Sequence, residues 1–526
     1  MKGRFRLTKV AKMLILLLAI AILAIAGFAG VKTGIVKPKG FSKLKKSASV
    51  DYDNNGNVMT TDKTDDKTIN LSLDEWVGWS SIIIANGSLT TEPGSIYDQL
   101  GIKVNISVIN DATQSSNALI KGSLDAAGYT INRTAFLSKK FKDAGKEVIM
   151  PYVTNYSNGG DGIIAKSNIN TVEDLVDAKI GVPQFSEAHT LVVWFVQQSD
   201  LSQKQKDQIL NNLIYFETPD EAAKAFFAGE IDVAATWEPY LTQAKNTSDA
   251  HVFFSTESSS SLVMDGILFN KAFCDKNPDV VTKFIQGSLM AANQYGTEFD
   301  SIRKVMPMFS TMSDKDIADN TASAKLATWY DNKNLLNGTA RTIYTDMCDI
   351  WESIGESVNR DLVNTMFDDS FMNNLEGEFD NTETSIETKS AITEEEQQEV
   401  IDAEALLKKS ATVNFIINTA KFTDTKEASK TLDEFIEVAK VLDGTIIEIA
   451  GNTDPNPYSD PDDKLNKKLS KSRADAVKQY FIMNGISADR IITVGNGSSN
   501  PIVKNDTEKH KAMNRRTDVS FKIIEQ

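Results

Sequence analysis

Phe227-Ala228-Gly229-Glu230-Ile231-Asp232-Val233-Ala234-Ala235-Thr236-Trp237-Glu238-Pro239-Tyr240 is the stretch on which the fold turns. It reads as a helix end, a Gly stop, an apolar residue, an Asp, and then a strand of small residues running into Trp-Glu-Pro. Gly suits the left-handed C-cap of a helix, and small side chains let a buried strand lie close beneath covering helices. Ala118-Leu119-Ile120-Lys121-Gly122-Ser123-Leu124-Asp125-Ala126-Ala127 repeats the same punctuation earlier in the chain. Two copies of one helix-to-strand joint point to two similar lobes. Around them, 104–109, 126–129, 163–165, 179–182 and 233–236 are short β-rich runs, separated by helical patterns such as 115–121. Strands alternating with helices predict an α/β block with a mainly parallel sheet.

From Ala411 the pattern changes. Val413-Asn414-Phe415-Ile416-Ile417 reads as a strand, and 428–442 as an amphipathic helix with Leu432, Phe435, Ile436, Ala439 and Leu442 on one face. Residues 445–451 form a second strand, and 463–484 a helix closed by Gly485. Strands at 490–494 and 517–524 complete a β-α-β-α-β-β order, an α+β domain.

The chain has 526 residues, 72 Asp and Glu, 56 Lys and Arg, and a net charge of −16. That length exceeds one ordinary core, so several domains are expected. An acidic chain gains nothing from a phosphate backbone, which excludes nucleic acid as a partner. Two Cys and three scattered His (His189, His251, His510) exclude a disulfide scaffold and a His- or Cys-rich metal centre. No nucleophile–base pair, metal triad or phosphate loop is present, so neither enzymatic activity nor a cofactor is expected.

The N-terminus carries a membrane signal. Lys2, Arg4, Arg6, Lys9 and Lys12 precede an unbroken apolar run from Met13 to Val31. A run of this length approaches a membrane span of about twenty residues, and the basic flank places residue 1 in the cytoplasm. The expectation is an uncleaved transmembrane anchor; a signal peptide cleaved near Ala26 or Ala29 is the alternative. Either exports the rest of the chain, so Cys274 and Cys348 meet an oxidising compartment, and whether they pair stays open. The expected organisation is a basic tail (1–12), the anchor (13–31), a polar linker (32–69), the α/β domain (70–375), an acidic linker (376–409) and the C-terminal domain (410–526).

The central block resembles the extracytoplasmic solute-binding proteins of ABC importers, in the nitrate, sulfonate and taurine group. The resemblance rests on 122–127, on Gly181-Val182-Pro183-Gln184-Phe185-Ser186-Glu187-Ala188-His189-Thr190, and on the stretch quoted first. It implies a bilobal periplasmic-binding-protein-like (type II) fold whose lobes close on a small ligand without covalent chemistry. Ligands of open α/β sheets sit beyond the carboxyl ends of strands, near helix N-termini. The solute-site candidates are therefore Trp76, Trp79, Ser80, Asn132, Arg133, Ser186, His189, Thr190, Trp237 and Glu238. Trp194 fits a core position better, His189 fits a packed one, and Glu238-Pro239 reads equally as a turn that stops a helix. Arg133 and a helix N-terminus suit an anion; the Trp residues with Glu238 and Asp265 suit a cation equally well. A thiamine-pyrimidine synthase is another relative of this fold group, but its cysteine-rich segment is missing here.

The C-terminal block resembles the OmpA-like peptidoglycan-binding domain. Gly451-Asn452-Thr453-Asp454, 466–474, Gly495-Asn496-Gly497 with Pro501, and Asn514-Arg515-Arg516 carry the resemblance in order. It implies recognition of a diaminopimelate-type stem peptide, whose free end holds an ammonium and a carboxylate. One acid and one guanidinium match such a zwitterion, roles that fall to Asp454 and Arg473. Asn452, Thr453, Asn466, Leu469 and Ser470 would line the groove, with Asn514 and Arg516 nearby. Two departures stand out: Asn452 replaces a frequent His, and 455–463 is a Pro- and Asp-rich loop. The whole reads as a single-pass envelope protein with its bulk outside the membrane. Its expected partners are a small solute, an ABC permease and peptidoglycan. The alternative is an envelope sensor or scaffold without transport.

Overall fold

The computed structural model describes residues 67–259, 262–379, 394–403, 405–411, 413, 415–416, 419–422, 425–455 and 463–523. The apolar run Met13–Val31 lies outside them. No helix of the described residues is long and apolar enough to cross a membrane.

β1 (Thr68–Leu73), β2 (Lys103–Val108), β3 (Ala126–Thr130), β4 (Val148–Ile149) and β5 (Val153–Ser157) begin a first sheet. The chain then builds a second sheet from β6 (Asp161–Lys166), β7 (Ile180–Pro183), β8 (Ile214–Phe216), β9 (Val233–Trp237) and β10 (Ala250–Ser255). It returns to the first through β11 (Met264–Asn270) and β12 (Ala324–Leu326). The sheet orders are β12-β5-β11-β3-β1-β2, with β4 on β11, and β10-β6-β9-β7-β8. Two lobes are thus joined by two crossings.

The sheets are mixed, not mainly parallel as the alternation predicts. β1 is parallel to β2 and β3, and β7 is parallel to β8 and β9. The crossing strands β5, β6, β10 and β11 pair antiparallel. Chain that leaves a lobe and later returns need not follow the helix-covered crossover that makes neighbours parallel.

The repeated joint forms as read. Gly122 and Gly229 sit at φ 74° and 76°, a left-handed conformation open to Gly without strain. After the second copy, Phe226, Ile231 and Ala234 enter one core cluster with Ile164 and Leu241. The crossings are tied together at Thr256. Its Oγ1 bonds Ser157 Oγ (2.8 Å) and accepts from Gly159 N (2.9 Å), while Asp161 N donates to Ser157 Oγ (3.1 Å).

The third sheet joins β13 (Leu407–Ala411), β14 (Ile446–Asn452), β15 (Ile491–Gly497) and β16 (Thr517–Lys522) in the order β13-β16-β14-β15. Helices Thr425–Val441 and Lys464–Met483 connect them as expected, and a short helix Glu508–Asn514 precedes β16. The first strand lies earlier than the apolar run 413–417 suggests. An edge strand needs little inward apolar surface, and Leu407, opposite Phe521, supplies it, while Lys408 and Lys409 suit an edge. Part of the expected linker is structured too. Helix Glu394–Asp402 buries Val400 against Ile446 and Ile492, and Lys522 Nζ donates to Val400 O (2.8 Å) and Ile401 O (2.9 Å).

The C-terminal domain touches the second lobe. Ser259 Oγ donates to Val441 O (2.7 Å), Gly444 N to Ser258 O (3.2 Å), and Lys409 Nζ to Gln198 Oε1 (3.3 Å). A cavity of about 290 Å³ beside this contact is lined by Trp194, Gln198, Asp346, Asp349, Glu434 and Glu437. Cys274 and Cys348 are buried free thiols, so they do not pair.

Gly451 is a close-approach glycine: a Cβ there would stand 2.1 Å from Ser470 O on the helix above. Backbone faces backbone, so neither side can yield cheaply. Gly451→Ala is expected to destabilise the C-terminal domain by about 1–3 kcal/mol. An earlier urea midpoint in circular dichroism would show it; an unchanged midpoint would contradict the packing described.

Candidate functional site

The strand ends of the two lobes face each other across a cleft. Thr130 ends β3 and caps the helix Ile131–Asp143, accepting from Arg133 N at 2.9 Å. Ser186 follows β7 and caps the helix Glu187–Gln198, accepting from His189 N at 3.2 Å. These caps fix Arg133 and Glu187 opposite one another. Arg133 Nη2 donates to Glu187 Oε2 (2.8 Å) and Nη1 to Asp74 Oδ2 (3.4 Å). Thr130 Oγ1 donates to Glu187 Oε1 (2.9 Å), and Asn132 Nδ2 to Thr190 Oγ1 (2.8 Å). The lobes stand closed on these bonds. A crevice of about 10 Å³, room for roughly one water, remains between Trp76 and Trp237, beside Glu75 and Glu238.

The sequence candidates divide. Trp76 is half-buried, and its Nε1 donates to Asn155 Oδ1 and Asp265 Oδ2, both at 3.0 Å. Trp237 faces the same crevice and donates to Asp220 Oδ1 (3.2 Å). Trp79 is buried, with Nε1 on Asp74 Oδ1 (2.7 Å), and the Ser80 hydroxyl donates to Val77 O. Neither offers an open wall. Glu238 accepts from Thr242 N (3.0 Å) and Oγ1 (2.9 Å), so Glu238-Pro239 opens the helix Tyr240–Lys245 instead of stopping one. Thr190 Oγ1 donates to Glu187 O (2.6 Å). His189 is buried against Phe185, Tyr215 and Trp351, accepts from Phe185 N, and is pushed down to about 4 by burial. It is neutral near pH 7 and brings no charge. Trp194 lies in the core beside Phe254.

Asp74, Asn155, Asp161 and Glu187 were not among the sequence candidates. Asp74 and Glu187 flank residues singled out above, at a strand end and a helix start, where a signal was present. Asp161 follows Gly159-Gly160 and carried none; the chain crossing brings it in. Burial, then Glu187, pushes Asp161 up to about 7. Burial, then Asp74, Asp161 and Glu187, raises Asp265 well above the usual carboxylate range. Burial also raises Asp74, against the pull of Arg133. Among the described residues, no three His, Cys, Asp or Glu side chains come together as a metal site.

In the C-terminal domain the expected pair does not bond directly. Asp454, just after β14, pairs with Arg515 (Nη1–Oδ1 3.3 Å), whose Nη2 donates to Glu508 Oε1 (2.8 Å). Arg473 is half-buried; its Nε donates to Thr419 O (3.2 Å) and its guanidinium lies 5.0 Å from the Phe415 ring centroid. Burial and Arg515 lower its pKa, and Asp454 opposes them. Arg515 stands beside Asn514 and Arg516, yet only the tertiary structure separates its role from theirs.

Several expected groove residues spend their polar groups inside the domain. Asn452 Nδ2 donates to Asp518 Oδ2 (3.0 Å), and its Oδ1 accepts from Asn496 Nδ2 (3.0 Å). Arg516 makes a forked bond to Asp518, both distances 2.9 Å. Asn514 staples Ile502 N and Val503 O (2.8 Å each). Ser470 Oγ accepts from Gly497 N (2.9 Å). Asn466 Nδ2 donates to Asp463 Oδ1 (2.9 Å), and Leu469 is half-buried. Thr453 Oγ1 is buried with no partner among the described residues.

The cleft acids give a pH signature. A carboxyl at about 7 in the folded chain and about 4 when unfolded binds more protons folded. Its contribution is full below pH 4 and is lost as pH rises through 7. His189, depressed to about 4, runs the opposite way between there and its unfolded value near 6.5. Asp161→Asn removes only the first. The stability of the variant relative to the parent should rise between pH 4 and 7, by on the order of 2–4 kcal/mol, and then level off. Chemical denaturation across that range reads it; a flat difference would reject the assignment.

Residues 96–296 match the family described as NMT1/THI5 like, and residues 414–515 match the OmpA family. The C-terminal segment is 45% identical over 82 residues to Outer membrane porin F of Pseudomonas fluorescens, 16% of this chain and 24% of that protein. It is 41% identical over 66 residues to the Peptidoglycan-binding protein ArfA of Mycobacterium tuberculosis, 12% of this chain and 20% of that protein. The chain therefore spans less than a quarter of the length of either relative. Among solved structures, the periplasmic aliphatic sulphonate binding protein SsuA from Escherichia coli aligns at 16% identity and a TM-score of 0.46, over 57% of this chain and 97% of that one. The chain joins an NMT1/THI5-like domain to a C-terminal OmpA-family domain.

Proposed function

We propose that this is an envelope protein anchored by Met13–Val31, with both domains outside the membrane. The bilobal domain captures a small solute, an anion of the nitrate or sulfonate kind or a small amine, for an ABC permease. The OmpA-family domain holds the protein on peptidoglycan through a diaminopimelate-type stem peptide. The observation that carries the wall-binding part is the grouping of Asp454, Arg473 and Arg515 beside the unpartnered Thr453 hydroxyl. An acid beside two guanidinium groups can accept from the ammonium of the peptide end and fork onto its carboxylate. Asp454 takes the ammonium, Arg473 the carboxylate, and Arg515 orients Asp454.

One observation favours a second reading, an envelope sensor or scaffold. The helix Glu187–Gln198 begins at the cleft with Glu187 and ends at Gln198, which bonds Lys409 of the wall-binding domain. Closure of the lobes would move that helix against the third sheet. In that reading, added solute changes retention on the wall; in a pure transport role it does not.

The full chain should co-sediment with purified sacculi, and Asp454→Ala or Arg473→Ala should each reduce retention at least tenfold. Unchanged retention in both variants would overturn the wall-binding assignment. Native mass spectrometry of the full chain, released gently from detergent, should show a retained small molecule on the bilobal domain.

A further inference from the structure

The cleft between the lobes holds more acceptors than donors, and we propose that its ligand is a small organic cation, an ammonium or guanidinium compound. It would be held by the Asp74, Asp161, Glu187 and Asp265 carboxylates against the Trp76 ring. This rests on the solute-binding reading and chooses between the two ligand charges it leaves open.

The charges argue first. Asp74, Asp161, Glu187 and Asp265 lie within electrostatic reach of one another, and Arg133 is the basic side chain placed among them. Its guanidinium already donates to Asp74 and Glu187. An incoming anion would have to displace one of those carboxylates and then sit beside the others. The helix Glu187–Gln198 offers an anion little more. Its N-terminus is capped by Ser186 Oγ, and Glu187 already stands in its first turn. A cation meets the reverse situation, because it relieves repulsion that buried like charges suffer without one.

The hydrogen-bond inventory argues independently. Asn132 Oδ1 is a fully buried acceptor with no donor among the described residues. Its orientation is fixed, because Nδ2 donates to the carbonyl of Leu262 (3.1 Å) as well as to Thr190 Oγ1. Asn132 lies at the same inter-lobe contact as Glu187, where its Oδ1 lacks a donor, while His189 Nε2, two residues along the Glu187 helix, is a buried N–H without an acceptor among the described residues. An ammonium or guanidinium supplies N–H groups; nitrate and sulfonate supply none.

The wall fits as well. Trp76 packs on Gly160, where a Cβ would stand 2.4 Å from Cη2, and so the ring lies next to Asp161. An aromatic face beside carboxylates attracts a cation through the ring quadrupole. Among the described residues these carboxylates do not group as metal ligands do, a spacing that suits an organic cation better than a bare metal ion.

The test is isothermal titration of the full chain in non-ionic detergent with ethanolamine, putrescine and agmatine, and with nitrate, sulfate and ethanesulfonate. At least one cation should bind tenfold or more tighter than every anion. Asp161→Asn and Asp265→Asn should each weaken it at least tenfold while the near-UV circular dichroism spectrum stays that of the parent, which shows that the bilobal domain, where all six Trp lie, is folded. Binding of anions alone would overturn the cation inference and leave solute binding standing. Cation affinity unchanged in both variants would also overturn it, by placing the cation elsewhere. If no compound binds and no retained molecule appears by native mass spectrometry, both readings fall.

Discussion

The contact between Arg133 and Glu187 governs the bilobal domain. It joins a helix start in one lobe to a helix start in the other, at 2.8 Å and with little exposure. A half-exposed ion pair contributes little, but a desolvated, charge-assisted one is costly to break because each partner would be left buried and unpaired. Everything around it is arranged to hold that geometry. Thr130 caps the Arg133 helix and bonds Glu187, Asp74 takes the second guanidinium arm, and Asn132 reaches Thr190 in parallel. The cleft acids then sit in a field that a single guanidinium cannot balance.

The crossing segments decide what that contact can control. Ser157, Gly159 and Asp161 meet Thr256 in a compact hydrogen-bonded knot that ties the two connections between the lobes to each other. Asp161 belongs to this knot and to the acidic group at once. The helix Glu187–Gln198 runs from the cleft to the opposite end of the second lobe, where Gln198 meets Lys409. In the C-terminal domain Thr453 and Asp454 follow the end of β14, with a dense polar network behind them. Asn452, Arg516 and Asp518 bond to one another below the surface, and this fixes the strand end that presents Thr453 and Asp454.

Much of the fold was legible because local rules and tertiary needs agreed. Gly122 and Gly229 mark the same joint in each lobe, and small residues follow where a strand is buried. In the C-terminal domain, helix periodicity and the Gly485 stop place the helices within a few residues. Legibility failed where pairing is non-local. Nothing in β5 or β11 announces that they cross between lobes and pair antiparallel. The polar strand 407–411 is an edge whose partner lies more than a hundred residues away, so the apolar run 413–417 outweighed it. The site shows the same division. Strand ends and helix starts pointed to Arg133, Ser186 and Trp237, but Asp161 and Asn155 carry no local mark.

The sequence by itself determined the α/β character of the central block, the α+β character of the C-terminal one, and many of the residues that end strands and open helices. Those follow from spacing, caps and small-residue runs, which act over a few residues. Only the tertiary structure decided the sign of the cleft. Charges scattered from Asp74 to Asp265 become neighbours through two chain crossings, and burial then turns their separate acidities into one shared electrostatic demand. It also decided that Asp454 meets Arg515 before Arg473, because which guanidinium reaches a carboxylate depends on how a strand end, a helix and a loop converge in space.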